Sequence, residues 1–352
     1  MHRRAWAFRW GEATDEPKFT VPIHAKNEWR LPMHPFLTKA LDRLAFASAQ
    51  HSVPSRDCKR SLQEIRQLLD SPDFFPQAPP AVPELQFRQA QRFEFISPIS
   101  THWPENNRVP GRFYRSGADW TERPTVLLLH GWNGELGYWL QFPPLAWRLN
   151  KAGVNCAMIE LPFHATRKPK GPGRYRNFLS PDLLETIESV RQSVADIRAM
   201  LSWLEAQGCR TTGLLGISLG AWLAGLVLCR DPRVDFGVLI TPVARMERVI
   251  MDLPFCEPIR RNIPEVPSGA EFSILNLAAL KPFPPPEKIL LIASQYDLFA
   301  PFENLEELWA AWNRPEIWRV PHGHISVLLS LPVWEKAVRW MQRQGSPRAT
   351  PV

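Results

Sequence analysis

Thr212-Gly213-Leu214-Leu215-Gly216-Ile217-Ser218-Leu219-Gly220-Ala221-Trp222-Leu223-Ala224-Gly225-Leu226-Val227-Leu228 reads as a short apolar strand that runs, without a spacer, into an apolar helix. Thr212–Ile217 predicts a strand buried on both faces, and Leu219–Arg230 predicts the helix. The junction has the pattern Gly-x-Ser-x-Gly, centred on Ser218. A turn this sharp strains the backbone at its apex, so the residues two before and two after must have almost no side chain. Gly216 and Gly220 satisfy that. The turn lifts the Ser218 hydroxyl above a sheet and sets it at a helix start, where main-chain N–H groups are free. A serine that merely caps a helix between packing glycines gives the same string, so the rest of the chain has to decide.

Outward from this junction, short apolar runs alternate with long amphipathic stretches, the pattern of a parallel sheet covered on both faces. Strands are expected at Thr125–Leu129, Asn155–Leu161, Val234–Ile240, Lys288–Ala293 and Glu316–Val320. Helices are expected at Tyr138–Lys151, Pro181–Gln207, Asn304–Trp312 and Ile325–Gln344, with Gly208 stopping the second. Leu85–Ile96 and Arg112–Ser116, joined by a loop holding Pro104 and Pro110, fit an antiparallel edge. The expected fold is α/β: an open, mostly parallel sheet of about eight strands with helices on both faces.

A serine hydroxyl is a weak nucleophile at neutral pH and needs a histidine to take its proton, held in turn by a carboxylate. Two later loops at strand ends offer these groups. Asp297 follows Lys288–Ala293, where such sheets gather functional side chains. Pro321-His322-Gly323-His324 follows Glu316–Val320. Of its two histidines, His324 is preferred, because Gly323 frees the backbone to aim the ring; His322 stays the competitor. The developing oxyanion calls for main-chain donors, expected at Trp132 in His130-Gly131-Trp132-Asn133-Gly134 and at Leu219. His130 is read as a brace for that loop. Singly, a loop aspartate or histidine is often only a cap or a solvated side chain. Three residue types in the order Ser, acid, His, each just after a strand, are harder to obtain by accident.

With these motifs in this order, residues 88–344 resemble the alpha/beta-hydrolase superfamily of serine hydrolases. Glu160-Leu161-Pro162-Phe163-His164, followed by a basic loop, also resembles the abhydrolase domain-containing protein 18-like group. The resemblance implies an esterase- or lipase-like enzyme acting on a small-molecule or lipid ester through an acyl-enzyme, with no cofactor and no metal. Acyl transfer to an alcohol uses the same groups, and a non-catalytic binding scaffold on the same fold is the competing class.

Residues 1–85 lie outside that pattern. They carry helical stretches at Pro35–Gln50 and Ser61–Leu69, then Ser71–Pro83 with Pro72, Pro76, Pro79, Pro80 and Pro83, and are read as an extension packed on a catalytic domain of residues 86–344. Residues 345–352 form a tail. Residues 241–286, with Met246, Ile250, Phe255, Phe272 and Leu277, are lid-like: either an apolar cap over an acyl chain or extra packing on the sheet. The loop 163–180 bears Arg167, Lys168, Lys170, Arg174 and Arg176 without an acid, which makes Arg167 and Arg174 candidates for contact with an anionic substrate, a solvated basic loop being the plainer alternative; His164 is a further candidate there, with a packing role favoured.

Across 352 residues the chain is 45% apolar and 22% charged, enough for a large core. No apolar run reaches the length of a membrane span. Trp6, Phe8, Arg9 and Trp10 interrupt what an export signal needs, so a cytoplasmic location is expected. Five scattered cysteines hold no zinc-like pair. The net charge of +7 leaves room for peripheral membrane contact, but no nucleic-acid-binding signature accompanies it.

Overall fold

The carboxyl edge of one nine-stranded sheet organises this molecule, and the elements that build it alternate along the chain as the apolar pattern requires. The computed structural model describes residues 34–50, 52–58, 62–89, 91–171, 177–263 and 272–345. In order they form α1 (Pro35–Ala49), α2 (Leu62–Leu69), β1 (Gln86–Phe87), β2 (Arg92–Ile96), β3 (Arg108–Tyr114), β4 (Thr125–Leu129), α3 (Glu135–Leu140), α4 (Phe142–Lys151) and β5 (Asn155–Ile159). There follow α5 (Leu183–Ala206), β6 (Thr212–Ile217), α6 (Leu219–Leu228), β7 (Phe236–Ile240), α7 (Met246–Asp252), α8 (Glu257–Asn262), β8 (Ile289–Ser294), α9 (Phe302–Ala311), β9 (Glu316–Val320) and α10 (Leu331–Gln344).

The strand order is β1-β2-β3-β5-β4-β6-β7-β8-β9. The first three pair antiparallel and the rest parallel. Side chains alternate across each strand. Leu127, Leu129, Leu214, Leu239 and Leu291 join the apolar cluster that holds α5 and α6. The intervening Val126, Leu128, Leu215, Val238 and Leu290 are buried outside it, and α4 and α10 pack against β5 and β7. Burial on both faces is why these strands read as unbroken apolar runs rather than alternating ones.

Local chemistry sets the breaks. The expected helix Tyr138–Lys151 is two helices, since Pro143 and Pro144 can only start a new one. The Asp182 carboxylate caps α5 by accepting from the Leu184 amide at 3.1 Å, and Gly208 at φ +86° ends the turn after it. The second edge strand begins at Arg108, not Arg112: Val109, Gly111 and Phe113 alternate inward and recruit part of the expected loop. The expected helix from Ile325 starts as a short 3-10 turn and becomes α-helical at Leu331, where Pro332 resets the register.

The segment between α2 and β1 is tied to α5. Arg198 donates to the carbonyls of Pro76, Gln77 and Ala78, and Ser202 Oγ donates to Pro80 O at 2.9 Å. A proline-rich stretch has few amides to pair, so its carbonyls supply the contacts. Asp231 holds Arg198 at 3.1 Å in a buried ion pair. Residues 1–33, the tail from 346 and residues 264–271 of the expected lid lie outside the described residues.

Candidate active site

Ser218 has φ 52° and ψ −114°, a backbone that residues with a side chain rarely adopt. It is held there from several sides. Its amide donates to Ile240 O at 2.9 Å, and its carbonyl accepts the Trp222 amide at 3.0 Å. A Cβ on Gly216 would collide with Gly220 O, and one on Gly220 would collide with Leu129 O, so both glycines are required by close backbone approach. The elbow is therefore wedged between the ends of β4 and β7, with its serine at the first turn of α6. Among the described residues, no hydrogen bond engages the Ser218 hydroxyl.

Asp297 and His324 come together at the same sheet edge, after β8 and β9. His324 Nδ1 lies 2.8 Å from Asp297 Oδ2. Asp297 Oδ1 accepts the amides of Phe299 and Ala300, both at 2.8 Å. With Nδ1 carrying the proton, Nε2 is left as the basic nitrogen. Burial alone depresses the ring's pKa, but the charge and hydrogen bond of Asp297, then the charge of Asp42, outweigh it and raise it above the ordinary imidazole value. His322 turns elsewhere: its Nδ1 is 3.4 Å from Ser326 Oγ, and burial lowers its pKa.

Gly323 earns its position differently from the sequence expectation. Its φ is not positive; a Cβ there would stand 2.9 and 3.0 Å from the two carboxylate oxygens of Asp42. Asp42, on α1, accepts the amides of His324 at 2.9 Å, Ile325 at 3.0 Å and Leu298 at 3.1 Å. The carboxylate is fully buried, and that burial raises its pKa against the pull of the Ile325 and His324 amides. Sequence reasoning missed this residue. The buried face of α1 is Thr38, Asp42 and Ala49, whereas Phe36 and Leu44 are 66% and 68% exposed. Apolar periodicity points to the wrong side of this helix.

The loop after β4 is braced by two neutral histidines. His130 Nδ1 donates to Gly131 O at 2.9 Å, and Nε2 accepts the Leu161 amide at 3.1 Å. His164 Nδ1 donates to Pro162 O at 2.8 Å, and Nε2 accepts the Asn133 amide at 3.2 Å. Burial pushes His130 down to about 4 and likewise lowers His164, which His130 depresses further. Asn133, at φ 51°, also bonds to Ser52 Oγ, and Trp132 Nε1 donates to Asn177 at 2.9 Å. The amides of Trp132 and Leu219 donate to no other described group. The turn itself depends on Gly134 more than Gly131: a Cβ on Gly134 would strike Gly131 O, whereas one on Gly131 meets only ordinary contacts at 3.5 Å.

The remaining candidates are placed otherwise. His164 is fully buried with both ring nitrogens on main-chain groups, so it supports the loop instead of meeting substrate. Arg167 is 1% exposed and bonds to Asp196 at 2.9 Å, to Glu160 O at 2.8 Å and to Asn106 O. Its guanidinium is a buried cross-brace under the loop, closed to an anion from solvent. Lys168 pairs with Glu135 at 2.6 Å. Arg174 lies outside the described residues.

Part of the 241–286 stretch has the second of its expected roles. Leu277 sits against Gly225, and Leu275 O accepts Trp222 Nε1 at 2.8 Å, so this part is packing on α6. Phe255, between α7 and α8, lies 4.7 Å from the Trp132 ring and 6.2 Å from Phe299. Between α7 and the Asp297 loop is a cavity of about 120 Å³ lined by Val243, Arg245, Val249, Leu253, Leu298 and Phe299; Ser218, Asp297 and His324 are not among its lining residues. Among the described residues no cluster of metal-ligating side chains occurs, and no helix is long and apolar enough to cross a membrane.

Residues 126–349 match the model of the alpha/beta hydrolase family. The uncharacterized protein Rv2627c of Mycobacterium tuberculosis strain H37Rv is 30% identical over 300 residues, spanning 76% of this chain and 69% of that protein. Acetyl xylan esterase 1 from Thermoanaerobacterium sp. JW/SL YS485 superposes with a TM-score of 0.55 at 14% identity, covering 85% of this chain and 98% of that one. The acetyl xylan esterase from Paenibacillus sp. R4 gives 0.53 at 16% identity, with 84% and 98% covered. At such identities these two likenesses establish the fold alone. Sheet order, elbow and family match agree, and the chain belongs to the alpha/beta hydrolase family.

Proposed function

We propose that the protein hydrolyses carboxylic esters through a Ser218–His324–Asp297 relay. One observation carries this reading: Asp297 Oδ2 lies 2.8 Å from His324 Nδ1, at the same sheet edge where the strained elbow presents an otherwise unengaged serine hydroxyl. Ser218 Oγ attacks the carbonyl carbon as His324 Nε2 takes its proton. The tetrahedral oxyanion accepts from the Trp132 and Leu219 amides. Collapse expels the alcohol, which leaves with the proton from His324; water, deprotonated by the same nitrogen, then releases the acid and restores Ser218. No cofactor enters these steps.

The aromatic side chains of Trp132, Phe255 and Phe299 border this edge and favour an apolar acyl portion, lipid esters included. With Arg167 buried against Asp196 and Lys168 already neutralised by Glu135, a neutral ester is the better match than an anionic one. Transfer of the acyl group to an alcohol instead of water runs through the same groups, and product analysis with added alcohol separates the two. The deciding experiment is labelling with a fluorophosphonate probe. Wild type should label and Ser218→Ala should not; folded wild type that stays unlabelled refutes the relay and leaves a binding scaffold.

A further inference from the structure

The family match begins at residue 126, yet Asp42, on a helix that ends at Ala49, is built into the base of the site. We propose that Asp42 is a positioning residue for His324: one carboxylate from α1 ties the acid loop to the base loop through three main-chain amides and fixes how the imidazole meets Ser218. This rests on the relay proposed above.

The bonding pattern is specific. Leu298 adjoins Asp297, and the other two donors are His324 itself and Ile325. The loop that carries the acid and the loop that carries the base thus share one anchor, in addition to the bond between their own side chains. A carboxylate accepts from several N–H groups at once, whereas an amide or hydroxyl in its place offers fewer acceptors. Gly323 leaves the space for it, since any side chain at that position would press on both oxygens. A second contact runs in parallel. Phe46, one turn along α1, stacks on Phe299 with centroids 4.0 Å apart and planes at 5°, and Phe299 stacks on the His324 ring at 4.7 Å. The helix therefore grips the imidazole from its main chain and through its face.

The charge on Asp42 also reaches the ring. The charged groups that act on His324 are Asp297 and Asp42, and both favour the imidazolium. Removing the Asp42 charge lowers the ring's pKa. Because the base works as neutral imidazole, the acidic limb of the rate profile then moves to lower pH.

The test uses the full chain with Asp42→Asn, assayed on p-nitrophenyl acetate across pH, alongside NMR titration of the His324 ring assigned with His324→Gln. The expected result is a kcat lower by about 10- to 100-fold, the cost typical of a misplaced catalytic group, with KM nearly unchanged and the acidic limb shifted to lower pH. The ring titration should move the same way. A folded Asp42→Asn protein with wild-type kcat and an unmoved limb overturns the proposal and reduces Asp42 to a tether for α1. Gly323→Ala is the second variant: it displaces the carboxylate but keeps its charge, so kcat should fall with a smaller shift of the limb. An unchanged kcat in Gly323→Ala likewise overturns it. Wild type that neither labels nor turns over substrate removes the relay, and the ring titration alone then decides whether Asp42 acts on His324.

Discussion

Asp297 meets His324 through one oxygen only: Oδ2 stands 2.8 Å from Nδ1, while Oδ1 is occupied by the amides of Phe299 and Ala300. Replacement by asparagine leaves the carbonyl on those two amides and turns an NH2 group towards Nδ1. The ring must then carry its proton on Nε2, the nitrogen that has to accept from Ser218. Asp297→Asn should therefore keep its melting temperature and lose about 10⁴-fold in kcat. Steady-state kinetics and a thermal melt on the same preparation check both halves.

The oxyanion loop makes a prediction about two neighbouring glycines. Gly134→Ala drives a methyl into Gly131 O and has to open the turn that aims the Trp132 amide, whereas Gly131→Ala meets atoms only at 3.5 Å. Loss of one aligned donor costs about 10²- to 10³-fold in kcat. That loss is expected for Gly134→Ala, with a clearly smaller one for Gly131→Ala. Equal effects would contradict this account of the turn.

Acid should loosen the same loop. An unfolded imidazole binds its proton near pH 6.5, but in the folded protein burial holds His130 down to about 4, and His164 is lowered too. Between these values the unfolded state binds more protons. The stability present above pH ~6.5 is thus lost as pH falls through the window, by about 3 kcal/mol for His130 alone. His324, with its raised pKa, acts in the opposite sense: it stabilises fully below its unfolded pKa and loses that contribution as pH rises through the folded value. Urea midpoints at pH 7, 5.5 and 4.5 should drop in that order, and a flat series would exclude the mechanism.

Arg167, which the sequence made a candidate for substrate contact, yields a stability prediction. Truncation to alanine strands Asp196, a fully buried carboxylate whose other side-chain partner is Ser97 Oγ at 2.6 Å. Breaking one side of a buried ion pair costs about 3–5 kcal/mol. Arg167→Ala should unfold at markedly lower urea, and where folded its preference between anionic and neutral esters should match wild type.

The parts of this molecule readable from its residues are those governed by local rules. Gly216, Ser218 and Gly220 declare the elbow because nothing larger than hydrogen fits at the two glycine positions. The parallel strands declare themselves by burial on both faces, and Asp297 and His324 by following two of them. Asp42 was illegible for the opposite reason: its role exists only through contacts with amides hundreds of residues away, and an acidic residue on the inward face of α1 contradicts the helix's own apolar pattern. Arg167 was offered as a substrate contact because sequence reports charge but not whether the group is already engaged, whereas His164, for which packing was the favoured reading, meets main-chain groups through both ring nitrogens. Gly323 was identified for a freedom it does not use; its value lies in its missing Cβ.

Asp42 and Ile325 are 283 positions apart. During synthesis α1 emerges long before the segment it grips, and contacts of such separation form late because the intervening loop has to close first. On the relay proposed above, a nascent chain that already displays the elbow lacks its base, since His324 and the amides that seat α1 have yet to be made. On that relay a chain cut short before β9 has no base for Ser218, and is a silent fragment rather than a weakened enzyme.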